Sequence, residues 1–485
     1  MNITLIAIGD RTENYAFRLF KSILEEAGFS VQLLYLNIGH LHDNLSLNEK
    51  LKQQLSDFLR STSLVCLYVF TFNFRLAIMV TKICRRVNAE MKVIWGGPHC
   101  IAAPDTCTPH ADAVCVREGE DALMGIAYGM RFEDIPNIAY LHNGEYKIND
   151  ICPPSIRLDD LPFQDYSLRR HYYIDDQNDI SPLTIDAVKK KNGGIFTYIA
   201  MIGRGCPYHC GFCINSGKRH IPYQPGRSVD NVIEELKQAK EKYTDQIDEI
   251  MFYDDDFFAL PIKYIRKFSA RYKSEIGIPL HELNTVCTSF SVEKLECVRY
   301  MGAKGIIVGM QSISRNGRQA YRHPATKAGI QAILKIMKRY PDMNTVLHLI
   351  LGNPYEIEDD IVENLLFLDS LPMIYELSNY QLIIYPGTAL HDKIKKDGIC
   401  PERLSEGCVI PYYYQKPELK FWNFLCSRYL YKRQKLPRYI RKLLEKRHYA
   451  AAKIISLYKI KIFADRGAKF LKRKLNAIYC GMRSS

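Results

Sequence analysis

The chain has 485 residues, 47% of them hydrophobic and 25% charged, with fifteen scattered cysteines and a formal net charge of +13. That is globular composition with room for two to four domains, and the odd, dispersed cysteines fit reduced thiols better than a disulfide scaffold. No apolar run approaches the ~20 residues that span a bilayer, and "MNITLIAIGDRTEN" lacks the marks of a signal peptide, so a soluble, cytoplasmic protein is expected. The charge is local: residues 431–475 carry sixteen Lys or Arg against Glu445 and Asp465, so the basicity belongs to a tail and says little about what the body binds.

From the start, short apolar runs alternate with helical stretches: "NITLIAIG" (2–9), "VQLLYLNI" (31–38), "SLVCLYVF" (63–70), "KVIWGG" (92–97) and "DAVCVREGE" (112–120). This rhythm predicts a doubly wound, Rossmann-like parallel sheet ending near residue 130, with ligands beyond the carboxyl ends of its strands. Gly9, Gly96, Gly97 and Gly119 fall on those ends, where they either admit a ligand or simply make the turns. "NIAYLHNGEYKI" (137–148) reads as a hairpin turning at Asn143-Gly144, and the Pro- and Asp-rich stretch 150–193 as a linker laid over the surface.

Alternation resumes near Ile195 and runs through six strand–helix units: "IFTYIAMIGRG", "DEIMFYDDDF" (248–257), "LHELNTV" (280–286), "AKGIIVGMQS" (303–312), "NTVLHLILGNP" (344–354) and "LSNYQLIIYPGT" (377–388). Six parallel strands make an open sheet or three-quarters of a barrel, and in both the chemistry belongs at the carboxyl ends. Cys206, Asp254 to Asp256, Gln311 and Asn353 fall there.

"GRGCPYHCGFC" (203–213) places three thiols in eight residues. Structural zinc wants four ligands, which here means recruiting His209 or His220, and a redox dithiol leaves Cys206 unexplained. An iron–sulfur cluster fits better, because three cysteines on a four-iron cluster leave one iron open. Cys66, Cys84, Cys297 and Cys426 read as core residues.

Cys206-x3-Cys210-x2-Cys213, with Phe212 before the last cysteine, resembles the radical SAM signature, and "FYDDDF", "VGMQS", "LGNPYE" and "YPGT" follow in the order of that superfamily's later elements. "VIWGGPH" and "ADAVCVREGED" resemble the cobalamin-binding domain that precedes the barrel in one branch, with Arg117 where that branch usually has a glycine and no histidine in the first loop "GDRTEN". The resemblance implies a cobalamin-binding-like domain over 1–135, a hairpin and linker over 136–194, a partial (β/α)6 TIM-like barrel over 195–400, and a basic, mainly helical C-terminal region over 401–485. It implies a [4Fe-4S] cluster on Cys206, Cys210 and Cys213, and S-adenosylmethionine contacts from Phe212, Asp254, Asp255, Gln311, Ser312, Gly352 and Pro354. Cobalamin contacts are expected from Gly9, Asp10, Gly96, Gly97, Pro98, His99, Gly119 and Glu120.

The implied reaction is reductive cleavage of S-adenosylmethionine to a 5′-deoxyadenosyl radical, leading to cobalamin-dependent methylation of an unactivated carbon in a small-molecule or natural-product substrate, with flavodoxin or ferredoxin as electron donor. The alternatives are an oxidative cyclase of the magnesium-protoporphyrin ester type, a methylthiotransferase, for which Cys66, Cys100 and Cys107 are misplaced, and a protein in which the cluster is only structural or sensory. Tyr380 and Tyr385 either line the substrate side or belong to the core. The basic tail reads as amphipathic helices packed on the body, with a peripheral membrane or nucleic-acid contact as the other readings.

Overall fold

In the computed structural model, residues 1–9, 12–37, 47–216, 226–243, 246–372, 374–399, 419, 421–422 and 435–450 are described. Asp10, His220 and Cys426 lie outside them. The strands are β1 (Asn2–Gly9), β2 (Ser30–Asn37), β3 (Leu64–Tyr68), β4 (Lys92–Gly96), β5 (Ala113–Cys115), β6 (Ile138–His142), β7 (Glu145–Ile148), β8 (His171–Ile174) and β9 (Ile180–Pro182), which form one nine-stranded sheet in the order β7-β6-β5-β4-β3-β1-β2-β8-β9. The strands β1 to β5 are parallel, and their unbroken apolar runs follow from burial on both faces. Along β1, Ile3, Leu5 and Ala7 enter one core while Ile6 and Ile8 enter another.

The segment 136–194 holds the expected hairpin, and the stretch 150–193, read from sequence as a linker, carries β8 and β9. The hairpin extends the sheet antiparallel at one edge, while β8 pairs parallel with β2 at the other edge and β9 pairs antiparallel with β8. Strands of three or four residues are too short to show the alternation by which the longer ones are recognised.

The second half has six parallel strands: β10 (Thr197–Ala200), β11 (Glu249–Phe252), β12 (Leu283–Thr285), β13 (Gly305–Gln311), β14 (Asn344–Leu351) and β15 (Glu376–Gln381). Bridges from Leu280 to Ile250 and to Ala303 join the first pair to the other four. Among the described residues no ladder joins β10 to β15, which leaves a partial barrel with one side open. On β14, Thr345, Leu347, Leu349 and Leu351 are buried, while Val346, His348 and Ile350 on the opposite face are only half-buried.

The two halves share a core. The guanidinium of Arg18, in the helix Tyr15–Glu26, lies 4.0 Å from the ring of Tyr166, which stacks on Tyr198 of β10 at 4.2 Å. In the basic tail, the helix Arg438–Glu445 turns Ile440 and Leu444 inward against the helix Glu358–Ser370. Arg441 pairs with Asp369 at 2.5 Å, and the indole of the fully buried Trp422 donates to Glu358. No helix among the described residues is long and apolar enough to cross a membrane.

Candidate active site

The cysteine loop leaves the carboxyl end of β10. Cys210 is buried and Cys206 and Cys213 half-buried, all three as free thiols. Burial, with Asp255 and Cys213 beside Cys206 and the other two loop thiols beside Cys210, holds both up at about 12, and burial with Asp255 raises Cys213. Thiols packed this dry do not ionise alone, so they suit a centre that brings its own positive charge. Among the described residues no three His, Cys, Asp or Glu side chains converge on one point as metal ligands, Cys206, Cys210 and Cys213 included. The loop is pinned at Gly211, whose N–H donates to the Tyr321 carbonyl at 2.7 Å and whose carbonyl accepts from Leu390 at 2.8 Å. A β-carbon at Gly211 would meet the Ala320 carbonyl oxygen at 2.8 Å, so only glycine allows this approach.

Asp254, expected at S-adenosylmethionine, has its carboxylate on the backbone of the loop stem. Its buried carboxylate accepts the N–H of Ile202 at 3.0 Å and of Gly203 at 2.7 Å, bracing the loop stem from the end of β11. Asp255, in the turn that follows, is reached by solvent, accepts from Asn215 at 2.7 Å and lies close enough to Cys206 and Cys213 to raise their thiols. Desolvation in the recess, with Asp254 and Asp256 beside it, pushes its own carboxyl up to about 6. Asp256 is buried beside Tyr208 and Ser289.

Phe212 packs edge-on against Tyr321, ring centres 5.0 Å apart, with His323 beyond. Gln311 ends β13 at φ 59°, a left-handed conformation costing about 1–2 kcal/mol, and its buried Oε1 has no partner. Asn353, between Gly352 and the buried Pro354, accepts the Tyr355 N–H at its Oδ1 while its buried Nδ2 has no partner. An unmatched acceptor and an unmatched donor at adjacent strand ends are what a polar ligand in the lumen would complete. Ser312, also expected at S-adenosylmethionine, is buried with Ser314 and Asn364 around Glu356, donating to that carboxylate at 2.8 Å.

Burial raises Glu356 to about 7 from an ordinary 4.5. The folded chain therefore holds this proton where the unfolded chain has released it, and the stability it contributes is complete below about pH 4.5 and lost as the pH rises through 7. A Glu356→Gln variant is expected to match the parent at pH 4.5 and exceed it by about 3 kcal/mol at pH 8. Urea unfolding at both values checks this, and a pH-independent difference contradicts it.

In the N-terminal half a cavity of about 400 Å³ opens at the carboxyl ends of β1 and β3. Its wall is aromatic, with Tyr15, Tyr68, Phe70 and Phe72, and it reaches across to Met201 and Tyr253 of the barrel. Phe70 and Phe72 stack at 5.1 Å and 12°. Among the described cobalamin candidates only Gly9 lines it, with open space where its side chain would be. His99 is fully buried, its ring nitrogens 3.1 Å from the hydroxyls of Thr71 and Thr106, so it holds the turn that Gly96, Gly97 and Pro98 make after β4 and does not face the cavity. Glu120, after Gly119, pairs instead with Arg204 of the cysteine loop at 2.6 Å, and Glu118 pairs with it at 2.9 Å. Alternate aromatics at a strand end, "YVFTF", were the available sign of this wall.

This architecture, an open parallel sheet facing a partial barrel with three thiols at its first strand end, defines a two-domain cofactor protein. Residues 1–127 match the B12 binding domain and residues 201–368 the radical SAM superfamily. An uncharacterized methyltransferase of Pyrococcus horikoshii is 27% identical over 326 residues, and the chain spans about 65% of that relative's length, using 65% of its own. The fold is similar to the radical SAM methyltransferase TsrM from Kitasatospora setae, with a TM-score of 0.62, 15% identity and coverage of 82% of this chain and 75% of that one in the form with cobalamin and a [4Fe-4S] cluster. The form of TsrM with tryptophan and an S-adenosylmethionine analogue gives the same score and identity over 81% and 76%. The two matched domains imply a [4Fe-4S] cluster, S-adenosylmethionine and cobalamin as cofactors. The residues fit all three: a thiol loop, orphaned polar groups at the strand ends, and an aromatic cavity with an open glycine edge.

Proposed function

We propose that the protein is a methyltransferase that uses cobalamin and S-adenosylmethionine to methylate an unactivated carbon of a small-molecule substrate by radical chemistry. The observation that carries this reading is the shared cavity: the aromatic recess of the sheet opens onto Met201 and Tyr253, which flank the stem of the cysteine loop and Asp254. Two cofactor sites on opposite walls of one space permit a handover that neither achieves alone. When bound, the cofactors supply a hydrogen-abstracting organic radical and a transferable methyl group.

The chain supplies the positions. Cys206, Cys210 and Cys213 hold the cluster, Asp255 with Asn215 meets the ammonium of S-adenosylmethionine, and Gln311 and Asn353 accept and donate to its polar groups. Tyr68, Phe70 and Phe72 give the corrin an apolar wall that excludes water. The substrate side is formed by β14 and β15, where Tyr380, half exposed, has its hydroxyl 3.4 Å from Nε2 of His348. Burial holds His348 down at about 4, so this pair offers neutral hydrogen-bonding groups, which suit a polar, uncharged part of a substrate. A flavodoxin or ferredoxin is the expected electron source.

Anaerobic reconstitution tests the reading. Corrin absorption bands retained through desalting, together with 5′-deoxyadenosine from the reduced, cluster-loaded protein, are expected. Cluster loading without 5′-deoxyadenosine overturns the radical reading, and loss of the corrin bands overturns the role of cobalamin.

A further inference from the structure

The stem of the cysteine loop is held by both halves of the molecule at once. The barrel holds its backbone, through the Ile202 and Gly203 N–H groups on Asp254. The N-terminal half holds its side chain, through Arg204 Nη1 at 2.9 Å from Glu118 and Nη2 at 2.6 Å from Glu120. The Arg204 side chain is 9% exposed and that of Glu120 4%, so these charges are out of water. A buried ion pair adds little net stability, because desolvation offsets most of the attraction, and its best-attested use is to fix registry. Here one guanidinium must meet two carboxylates on a single turn, which leaves few placements that satisfy both.

The anchor itself is firm. A β-carbon at Gly119, between the two glutamates, would lie 2.7 Å from the Phe20 ring, so the turn is pressed onto the helix Tyr15–Glu26. On the other side, Gly205 at φ 74° carries the chain from Arg204 directly into Cys206. Whatever sets Arg204 therefore sets the direction from which the first cysteine enters the site.

We propose that Arg204 is a positioning residue that locks the cluster loop to the Glu118–Glu120 turn of the N-terminal domain, so that the turn beside one cofactor domain governs the geometry of the other domain's cluster. This rests on the reading of Cys206, Cys210 and Cys213 as the cluster ligands. It assigns Glu118 and Glu120 to domain registry and not to a cofactor contact.

The test uses the full chain and the double variant Glu118→Gln/Glu120→Gln, which leaves every residue of the cysteine loop unsubstituted, alongside Arg204→Lys as the conservative change. Two readouts are taken: hydrogen exchange of the Ile202 and Gly203 amides in the metal-free protein, and the electron paramagnetic resonance spectrum of the reduced cluster with and without S-adenosylmethionine. The expected result is at least tenfold faster exchange at both amides in the double variant and a changed response of the cluster spectrum to S-adenosylmethionine at unchanged iron content, with Arg204→Lys intermediate. Parental exchange and a parental spectrum in the double variant overturn the proposal while leaving the cluster assignment intact. A parent protein that forms no such cluster signal overturns that assignment instead, and the exchange result then decides whether the lock exists without it.

Discussion

Replacing any one of Cys206, Cys210 or Cys213 with alanine is expected to reduce formation of 5′-deoxyadenosine to background, while Cys287→Ala retains it. Each of the three is proposed as a direct cluster ligand, and Cys210 lies close enough to Cys206 and Cys213 for them to raise its thiol. The loss should exceed the roughly 10–100-fold that follows when only an outer-shell partner of a metal ligand is removed. Cys287 sits under Gly329, at the start of the helix Lys327–Met337, where a β-carbon would come within 2.9 Å of its sulfur, a packing position. Chromatographic measurement of 5′-deoxyadenosine in the anaerobic, reduced protein decides the matter, and cleavage surviving the loss of a loop cysteine would refute the assignment.

Asp254→Ala is expected to destabilise the protein by about 2–4 kcal/mol and to lower iron incorporation. The substitution strands the Ile202 and Gly203 N–H groups without their acceptor in a buried stem, and each orphaned donor costs about 1–3 kcal/mol. Part of this is recovered because the carboxylate is itself poorly solvated, as its rise to about 6 shows. Asp254→Asn keeps one acceptor oxygen and should lose about half as much. Denaturant unfolding and iron analysis measure both effects, and an alanine variant with parental stability and full iron content would contradict the bracing role.

The long strands and the cysteine loop were legible because their signals are local: unbroken apolar runs in β1 to β3, and three thiols within eight residues. What escaped was decided by partners far along the chain. A carboxylate at a strand end reads the same whether it faces the lumen or braces a loop, and only the fold shows that Asp254 turns to residues 202 and 203 while Asp255 turns to the cysteines. Glu120 reads as a ligand-loop acid until Arg204, 84 residues later, is found against it. His99 follows a glycine pair at a strand end, the expected place for a ligand contact, yet the hydroxyls of Thr71 and Thr106 take both its nitrogens.

The pairing of β2 with β8 bears on how the chain is made. Leu33 is hydrogen-bonded to Arg170, so as the polypeptide emerges from the ribosome one edge of the first sheet stays unsealed until long after its central strands exist. An open strand edge is a template for wrong partners, and closing so long a loop carries an entropy cost that rises only slowly with length, by about 0.6 kcal/mol per doubling. The segment that covers the β2 edge, leaving β9 outermost, is the one synthesised just before β10. The last strands of the first sheet and the strand that bears the cysteine loop are therefore consecutive in synthesis, and the thiols leave the ribosome only after every strand of the scaffold opposite them has been made.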